Sequence, residues 1–368
     1  MIYLDSAATT LQKPPGVARA MAEAVGRMSS PGRGDYGPAQ RASRTLLSLR
    51  EKAAALFGLS RPEQVILTCN ATHGLNMAVK TLVRPGARVL LSGWEHNAVT
   101  RPLASVPGVS VQRVEAPLFH PDAFLEDLER KLHRGTDAFL CTHVSNVFGY
   151  VLPMEEIAAL CRSYRTPLLV DASQSAGLLP IRMDVWGAAF IAMPGHKGLY
   201  GPQGTGLLLV RDTARPILEG GTGSQSRLQT MPDFLPDRLE AGTHNIPGAA
   251  GLLEGLRFVE QAGDLAGREK ALLDRAAEGL AHLSGAQVFR DGTNQCAVLS
   301  FRLSGRDPGW VADRLAGQGV AVRAGLHCAP LAHESGGTAD TGTVRLSCSA
   351  FNTPWEIDRF LELVSGMA

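Results

Sequence analysis

A single lysine, Lys197, stands in the glycine-dense run Pro194-Gly195-His196-Lys197-Gly198-Leu199-Tyr200-Gly201-Pro202-Gln203-Gly204-Thr205-Gly206, between two apolar stretches. Upstream, Leu168-Leu169-Val170-Asp171 sets an acid directly after an apolar run. Each has an ordinary reading by itself, since a loop lysine is usually a solvated charge and an Asp after a strand is often a helix cap. Together, at the ends of two strands, they are what pyridoxal phosphate needs. The amine condenses with its aldehyde, and the carboxylate keeps the ring nitrogen protonated so that the ring accepts electrons. Leu67-Thr68-Cys69-Asn70-Ala71-Thr72-His73-Gly74 leaves a strand and opens a helix, where free backbone N–H groups and the Thr72 hydroxyl form an anion site suited to a phosphate. Asn and Thr also cap helices that hold no ligand. In Ser92-Gly93-Trp94-Glu95-His96-Asn97 an imidazole follows another strand, where it can lie over a ring and handle protons. A lone histidine there is otherwise structural.

The elements that must position these groups follow from periodicity. Apolar strand-like runs cover 64–68, 88–92, 110–114, 137–142, 167–170, 189–193 and 205–210, with amphipathic helical stretches at 74–82, 121–133 and 154–164. Strands alternating with helices predict an α/β fold with a mostly parallel sheet sandwiched by helices, and ligands at the carboxyl ends of its strands. After Asn245 the pattern changes. Helices at 247–261, 266–283 and 308–318, strands at 297–303, near 320–323 and at 343–347, and a closing helix from Pro354 predict a smaller α+β C-terminal domain. The expected organisation is an N-terminal segment 1–15, a large domain 16–246 and a small domain 247–368. The polar, Gly-rich segment 220–240 reads as a long loop or hairpin on the surface or at a subunit contact.

Composition narrows the class. The chain has 368 residues, 45% apolar and 19% charged, which describes a globular protein with a sizeable core. Lys plus Arg number 36 against 35 Asp plus Glu, so no basic excess exists for a nucleic-acid partner. No apolar run approaches the roughly 20 residues of a membrane helix, and Met1-Ile2-Tyr3-Leu4-Asp5 does not resemble a secretory leader. The six cysteines form no C-x-x-C pair, so neither a zinc site nor a disulfide framework is expected. The cytoplasm, with reduced thiols, is the expected compartment, and no metal is expected.

These residues resemble the pyridoxal-phosphate-dependent class V aminotransferases of fold type I, and within them the cysteine desulfurases and selenocysteine lyases. The resemblance spans essentially the whole chain. It runs through Tyr3-Leu4-Asp5-Ser6-Ala7-Ala8-Thr9-Thr10, Glu95-His96, His143-Val144-Ser145-Asn146-Val147-Phe148-Gly149, Val170-Asp171-Ala172-Ser173-Gln174, Gly195-His196-Lys197, Glu240-Ala241-Gly242-Thr243, Arg323-Ala324-Gly325-Leu326-His327-Cys328-Ala329-Pro330 and Phe351-Asn352-Thr353. It implies that Lys197 binds the cofactor aldehyde, Asp171 partners the ring nitrogen, and His96 stacks on the ring as acid and base. Gln174 would bond the cofactor's phenolic oxygen, and Ala71, Thr72 and His196 its phosphate. Thr243 would reach the phosphate of the neighbouring subunit of a homodimer. Asn146 and Arg345 would hold the substrate carboxylate, with Arg323 also at the substrate site.

Cys328 matches the family's sulfur-accepting cysteine. Arg323 and His327 lie near it in sequence, and a cation there would favour its thiolate. Gly325, Pro330 and the polar run 334–343 read as an exposed loop. Only 16 residues separate Cys328 from Arg345, which resembles the shorter-looped of the family's two groups. The implied activity is conversion of L-cysteine to L-alanine, with sulfur passed to Cys328 as a persulfide and on to an acceptor protein. The alternatives are selenocysteine lyase action on L-selenocysteine and another class V reaction such as transamination. The chain also departs from the family pattern. Pro194 replaces the common Ser or Thr before Gly-His-Lys, His73 stands where an acid is common, and Asp35 follows the Arg33-Gly34 pair where a nearby histidine is expected.

Overall fold

The computed structural model describes residues 1–32 and 34–367; Arg33 and Ala368 lie outside the described residues. The chain opens on a short strand, β1 (Ile2–Tyr3), and two helices, α1 (Pro15–Arg27) and α2 (Gly37–Phe57). Strands and helices then alternate: β2 (Val65–Thr68), α3 (Ala71–Leu82), β3 (Arg88–Ser92), α4 (Asn97–Ala104), β4 (Ser110–Val114), α5 (Pro121–Leu132), β5 (Ala138–Thr142), α6 (Met154–Ser163), β6 (Leu168–Asp171), the single turn α7 (Met183–Trp186), β7 (Phe190–Pro194) and β8 (Gly206–Val210).

Strands β2 to β8 form one sheet in the order β2-β8-β7-β6-β5-β3-β4, in which β8 alone runs antiparallel to its neighbours. The period of two in side-chain direction explains why these strands read as continuous apolar runs. Ile66, Leu208, Ala192, Leu169, Leu140 and Val89 face the core shared with α3 and α4. Their sequence neighbours Val65, Leu207, Ile191, Leu168, Phe139 and Leu90 face the core on the opposite side, with α2, α5 and α6.

The remainder comprises α8 (Ile246–Gln261), α9 (Leu265–Ala281), β9 (Ala286–Phe289), β10 (Leu299–Leu303), α10 (Pro308–Gly317), β11 (Val320–Ala321), β12 (Arg323–Gly325), α11 (Pro330–Ser335), β13 (Thr343–Leu346) and α12 (Pro354–Ser365). An antiparallel sheet, β12-β13-β10-β9, packs with α9, α10 and α12 around Leu273, Phe301, Leu315, Leu346 and Phe360.

Two packing facts revise the expected domain limits. Helix α8, assigned from sequence to the small domain, buries Ile246, Ala249, Leu252, Leu253 and Leu256 in the larger core and lies against α1 and α2. Its glycines permit this: a Cβ on Gly251 would sit 2.8 Å from Met21, and one on Gly255 would run into the Leu199 carbonyl. The N-terminal segment is not a separate unit either. Strand β1 pairs parallel with β11, and Ile2 and Leu4 join the small core. Residues 220–236 hold neither helix nor strand, in keeping with a loop.

Candidate active site

The loop between β7 and β8 carries Lys197. Pro194 pairs with Gly206, the Gly195 N–H donates to the Thr205 carbonyl at 2.8 Å, and the Tyr200 N–H donates to the Lys197 carbonyl at 2.9 Å. The N-terminal segment clasps the same loop from outside. The His196 carbonyl accepts from the Thr10 N–H (3.1 Å), the Thr10 and Thr9 hydroxyls (3.1 and 3.2 Å) and Lys13 Nζ (2.9 Å). These donors share the two lone pairs of the His196 carbonyl and tie the backbone beside Lys197 to the N-terminal segment. Among the described residues the Lys197 amine has neither a hydrogen bond nor an ion pair, and its charge is disfavoured. Burial, reinforced by Arg345 and Arg323, lowers it to about 8 against the opposing pull of Asp171 and Asp5.

Ala71, Thr72, His96, Asn146, Asp171, Gln174, His196 and Lys197 line one cavity, together with Pro194. At one end is the start of α3. Asn70 caps it by accepting from the His73 N–H at 2.9 Å, which leaves the Ala71 and Thr72 N–H groups at the head of a twelve-residue helix. Gly206 makes this approach possible, because a Cβ there would lie 2.7 Å from the Asn70 backbone. Asp171, buried at the end of β6, spends one carboxylate oxygen on the Ser173 N–H at 2.9 Å. Gln174 donates to the Ala7 carbonyl at 3.1 Å. His96 caps α4, with Nδ1 accepting from the Ala98 N–H at 3.0 Å, so the ring proton sits on Nε2. Burial, aided by Lys197, Arg345 and Arg101 and opposed by Asp171, lowers its pKa and holds the ring neutral.

Behind His96 lies a residue that sequence reasoning quoted without a role. Glu95 is fully buried, and its Oε1 accepts from Ser92 Oγ at 2.5 Å and the Thr142 N–H at 2.6 Å, tying the ends of β3 and β5 together. Its other oxygen has no partner among the described residues, and burial pushes its carboxyl up to about 8. Asp5 likewise stands in a quoted motif without a role, and Lys13 stands in none. Their partners lie 340 and 183 residues away, a separation that leaves no local signal.

The remaining predicted residues reach the site from its rim. Cys328 is exposed, and it and His327 both have left-handed backbones, with φ of 55° and 49°. Their carbonyls are pinned by the large unit: Asn146 Nδ2 donates to His327 O at 2.8 Å, and the Asn97 N–H donates to Cys328 O at 2.7 Å. Ala329 and Ala332 bury themselves in the larger core. The expectation that His327 supplies a cation beside Cys328 is overturned. The ring is buried, lies 3.2 Å from Thr343 Oγ1 by way of Nε2, and burial with the nearby Arg345 pushes it down to about 2. The run 334–343 is not uniformly exposed either, since Thr338 and Thr343 are buried and the end of α11 overlaps it.

Arg345 is 2% exposed, donates from Nη1 to the Asn146 carbonyl at 3.0 Å and from Nη2 to Asp5 Oδ1 at 2.8 Å, and stands behind the cavity wall at Asn146. Arg323 is exposed, with Nε 3.5 Å from the other Asp5 oxygen. Thr243 does not join the cavity; it is exposed on the wall of a second one, near Cys69 and His73.

The donor set suits a flat, phosphate-bearing aromatic group: open N–H groups at the α3 N-terminus, a carboxylate, an imidazole and an unpartnered amine converge on one cavity. The chain also matches the Aminotransferase class-V family over residues 2–360. It belongs to the class V aminotransferase family. It is 34% identical over its whole length to a protein of Mycobacterium leprae named probable cysteine desulfurase 1, of which it spans only 62%. A probable cysteine desulfurase of Methanothermobacter thermautotrophicus is 32% identical, with 100% of this chain and 95% of that protein covered. The apo structure of a cysteine desulfurase from Thermococcus onnurineus superposes with a TM-score of 0.91 at 31% identity, covering 100% of this chain and 94% of that one. The class V chain thus has fold type I, the architecture expected from its motifs. Among its described residues no helix is long and apolar enough to cross a membrane, and no cluster of metal-ligating side chains occurs.

Proposed function

We propose that this protein is a pyridoxal-phosphate-dependent cysteine desulfurase that passes the sulfur of L-cysteine to Cys328. One observation carries the reading: the unpartnered Lys197 amine shares a cavity with Asp171, His96 and the open end of α3. The names and the fold of the relatives support it. When bound, pyridoxal phosphate supplies an aldehyde that takes up amines and a cationic ring that accepts electrons freed at Cα.

The Ala71 and Thr72 N–H groups would hold the phosphate, Asp171 would partner the ring nitrogen, and His96 would lie over the ring as acid and base. Pro194 offers that phosphate neither hydroxyl nor N–H, so its retention falls to α3, His196 and Thr243 of a second copy of the chain, which makes the working unit a homodimer. Arg345 and Asn146 orient the substrate carboxylate. Lys197, lowered toward neutrality, takes the Cα proton at Nζ. The Cys328 thiolate attacks the substrate sulfur; an S–S bond forms as the Cβ–S bond breaks, and Cβ, left with the bonding pair, takes a proton from His96 Nε2. The proton lost by the Cys328 thiol replaces it, and Lys197 Nζ returns its proton to Cα. L-Alanine leaves and the persulfide goes to an acceptor thiol. All six cysteines are unpaired, in accord with a reducing cytoplasm.

The test is a pair of variants. Lys197→Ala should lose the visible absorption of the bound cofactor. Cys328→Ser should keep that absorption and lose sulfide release from L-cysteine by at least about a hundredfold, as expected when a covalent nucleophile is removed. A serine variant that desulfurates at the parental rate overturns the assignment.

A further inference from the structure

Arg345 is almost fully buried, yet its guanidinium is only partly used. Nη1 is taken by the Asn146 carbonyl and Nη2 by Asp5 Oδ1, while Nε is buried with no acceptor among the described residues. Nε and Nη2 form the edge of a guanidinium that grips a carboxylate with two parallel hydrogen bonds. Half of that grip is therefore unpartnered, and a carboxylate of the protein's own stands on the other half.

We propose that Asp5 is a positioning residue that occupies the place of the substrate carboxylate on Arg345 and yields it when an amino acid binds. The inference rests on Arg345 being the carboxylate site of the proposed reaction.

Three features make the exchange feasible. The Asp5 backbone is anchored independently of its side chain, by a bridge to Ser347 and by the Ala8 N–H and Tyr3 hydroxyl donating to its carbonyl at 3.0 and 3.2 Å, so only the carboxyl has to turn. Arg323, on the solvent side, already lies 3.5 Å from the other Asp5 oxygen, so the displaced carboxylate keeps a cation. Arg345 Nη1 holds the carbonyl of Asn146, which lines the cavity of Lys197, so the exchange sits against the wall of the reacting site. With Asp5 on Arg345, the buried guanidinium is never left without an anion between turnovers, a state that is strongly destabilising in a protein interior. The same contact weakens amino-acid binding, because the ligand must displace it.

The experiment uses the holoenzyme and its Asp5→Asn variant, titrated with L-alanine, with ethylamine as the same amine lacking a carboxylate. Apparent affinity is read from the thermal shift. In the variant, L-alanine should bind about tenfold more tightly and KM for L-cysteine should fall comparably, the size expected from removing one charged competitor. Ethylamine should act alike on both proteins. A variant that binds L-alanine no more tightly than the parent overturns the proposal. Should the variant fail to fold, a structure of the parent holoenzyme with L-alanine decides: Asp5 must have left Arg345 Nη2 for Arg323, and an Asp5 still bonded to Nη2 beside a seated amino acid refutes the exchange. The two readings fail separately. A parent that releases no sulfide from L-cysteine sinks the activity, whereas the L-alanine titrations decide Asp5 either way.

Discussion

His96, Asp171 and Lys197 enter the cavity from the carboxyl ends of β3, β6 and β7, each at the end of its strand or a few residues beyond it. Arg345 comes from the inner strand β13 of the antiparallel sheet in the smaller unit, Arg323 from its edge strand β12 and Cys328 from the turn that follows, and Asn146 on the cavity wall ties this region in through hydrogen bonds to partners 181 and 199 positions away. The first group is a by-product of sheet formation: once the strands pair, its side chains are placed. The second depends on two units docking correctly. In the proposed reaction, the floor of the site would answer to global stability and the rim to precise seating of sulfur and carboxylate.

Three changes probe that contrast. The largest effect belongs to Glu240→Ala in the large unit. Glu240 accepts from Arg50 at 2.8 and 2.5 Å, both buried, and from the part-buried Leu67 N–H at 2.6 Å. Its loss leaves a buried guanidinium unpaired and should cost about 3–5 kcal/mol in urea unfolding. A loss below about 1 kcal/mol, the range of exposed pairs, would mean the floor is less tightly built than its geometry indicates.

Tyr200→Phe cuts a link between the units. The Tyr200 hydroxyl donates to Glu269 Oε1 at 3.1 Å and accepts from the Ala350 N–H at 2.8 Å. Stranding both partners should cost about 1–3 kcal/mol by the same measurement, and KM for L-cysteine should rise as the rim loosens. Unchanged KM would detach the rim's geometry from this contact.

Glu95→Gln should have the smallest effect at low pH. Because folding raises the Glu95 carboxyl to about 8, the stability it contributes is present below its ordinary value of 4.5 and is lost as pH rises through about 8. An amide mimics the protonated acid, so the variant's Tm should gain on the parent's between pH 5 and 8.5. A gap that stays flat or narrows would show that Glu95 is ionised in the folded protein.

The floor was legible in the sequence because apolar runs end where loops begin, and Asp171, His96 and Lys197 stand at those ends. Helices α1 and α2 were missed: both begin at Pro-Gly or Gly-Pro pairs, with no capping side chain and no acid in the first turn. A proline at the first turn was the available signal. Helix α8 was assigned to the wrong unit because its Gly-rich face carries no strong period, and its partners α1 and α2 had not been recognised. His327 shows a further limit, since proximity in sequence suggested a charge that burial removes. Asp5 was visible as part of a motif, but its place on Arg345 arises only when the first residues of the chain cross the last sheet.

The paired left-handed residues His327 and Cys328 have one more implication. With both carbonyls tethered and the following alanine sunk in the core, the peptide that bears the thiol is already fixed before any reactant arrives. The sulfur atom is left with little more than rotation about its Cα–Cβ bond, an arc of a few ångströms at the molecular surface. In the proposed reaction, an acceptor thiol would therefore have to bring its own reaching arm to this spot.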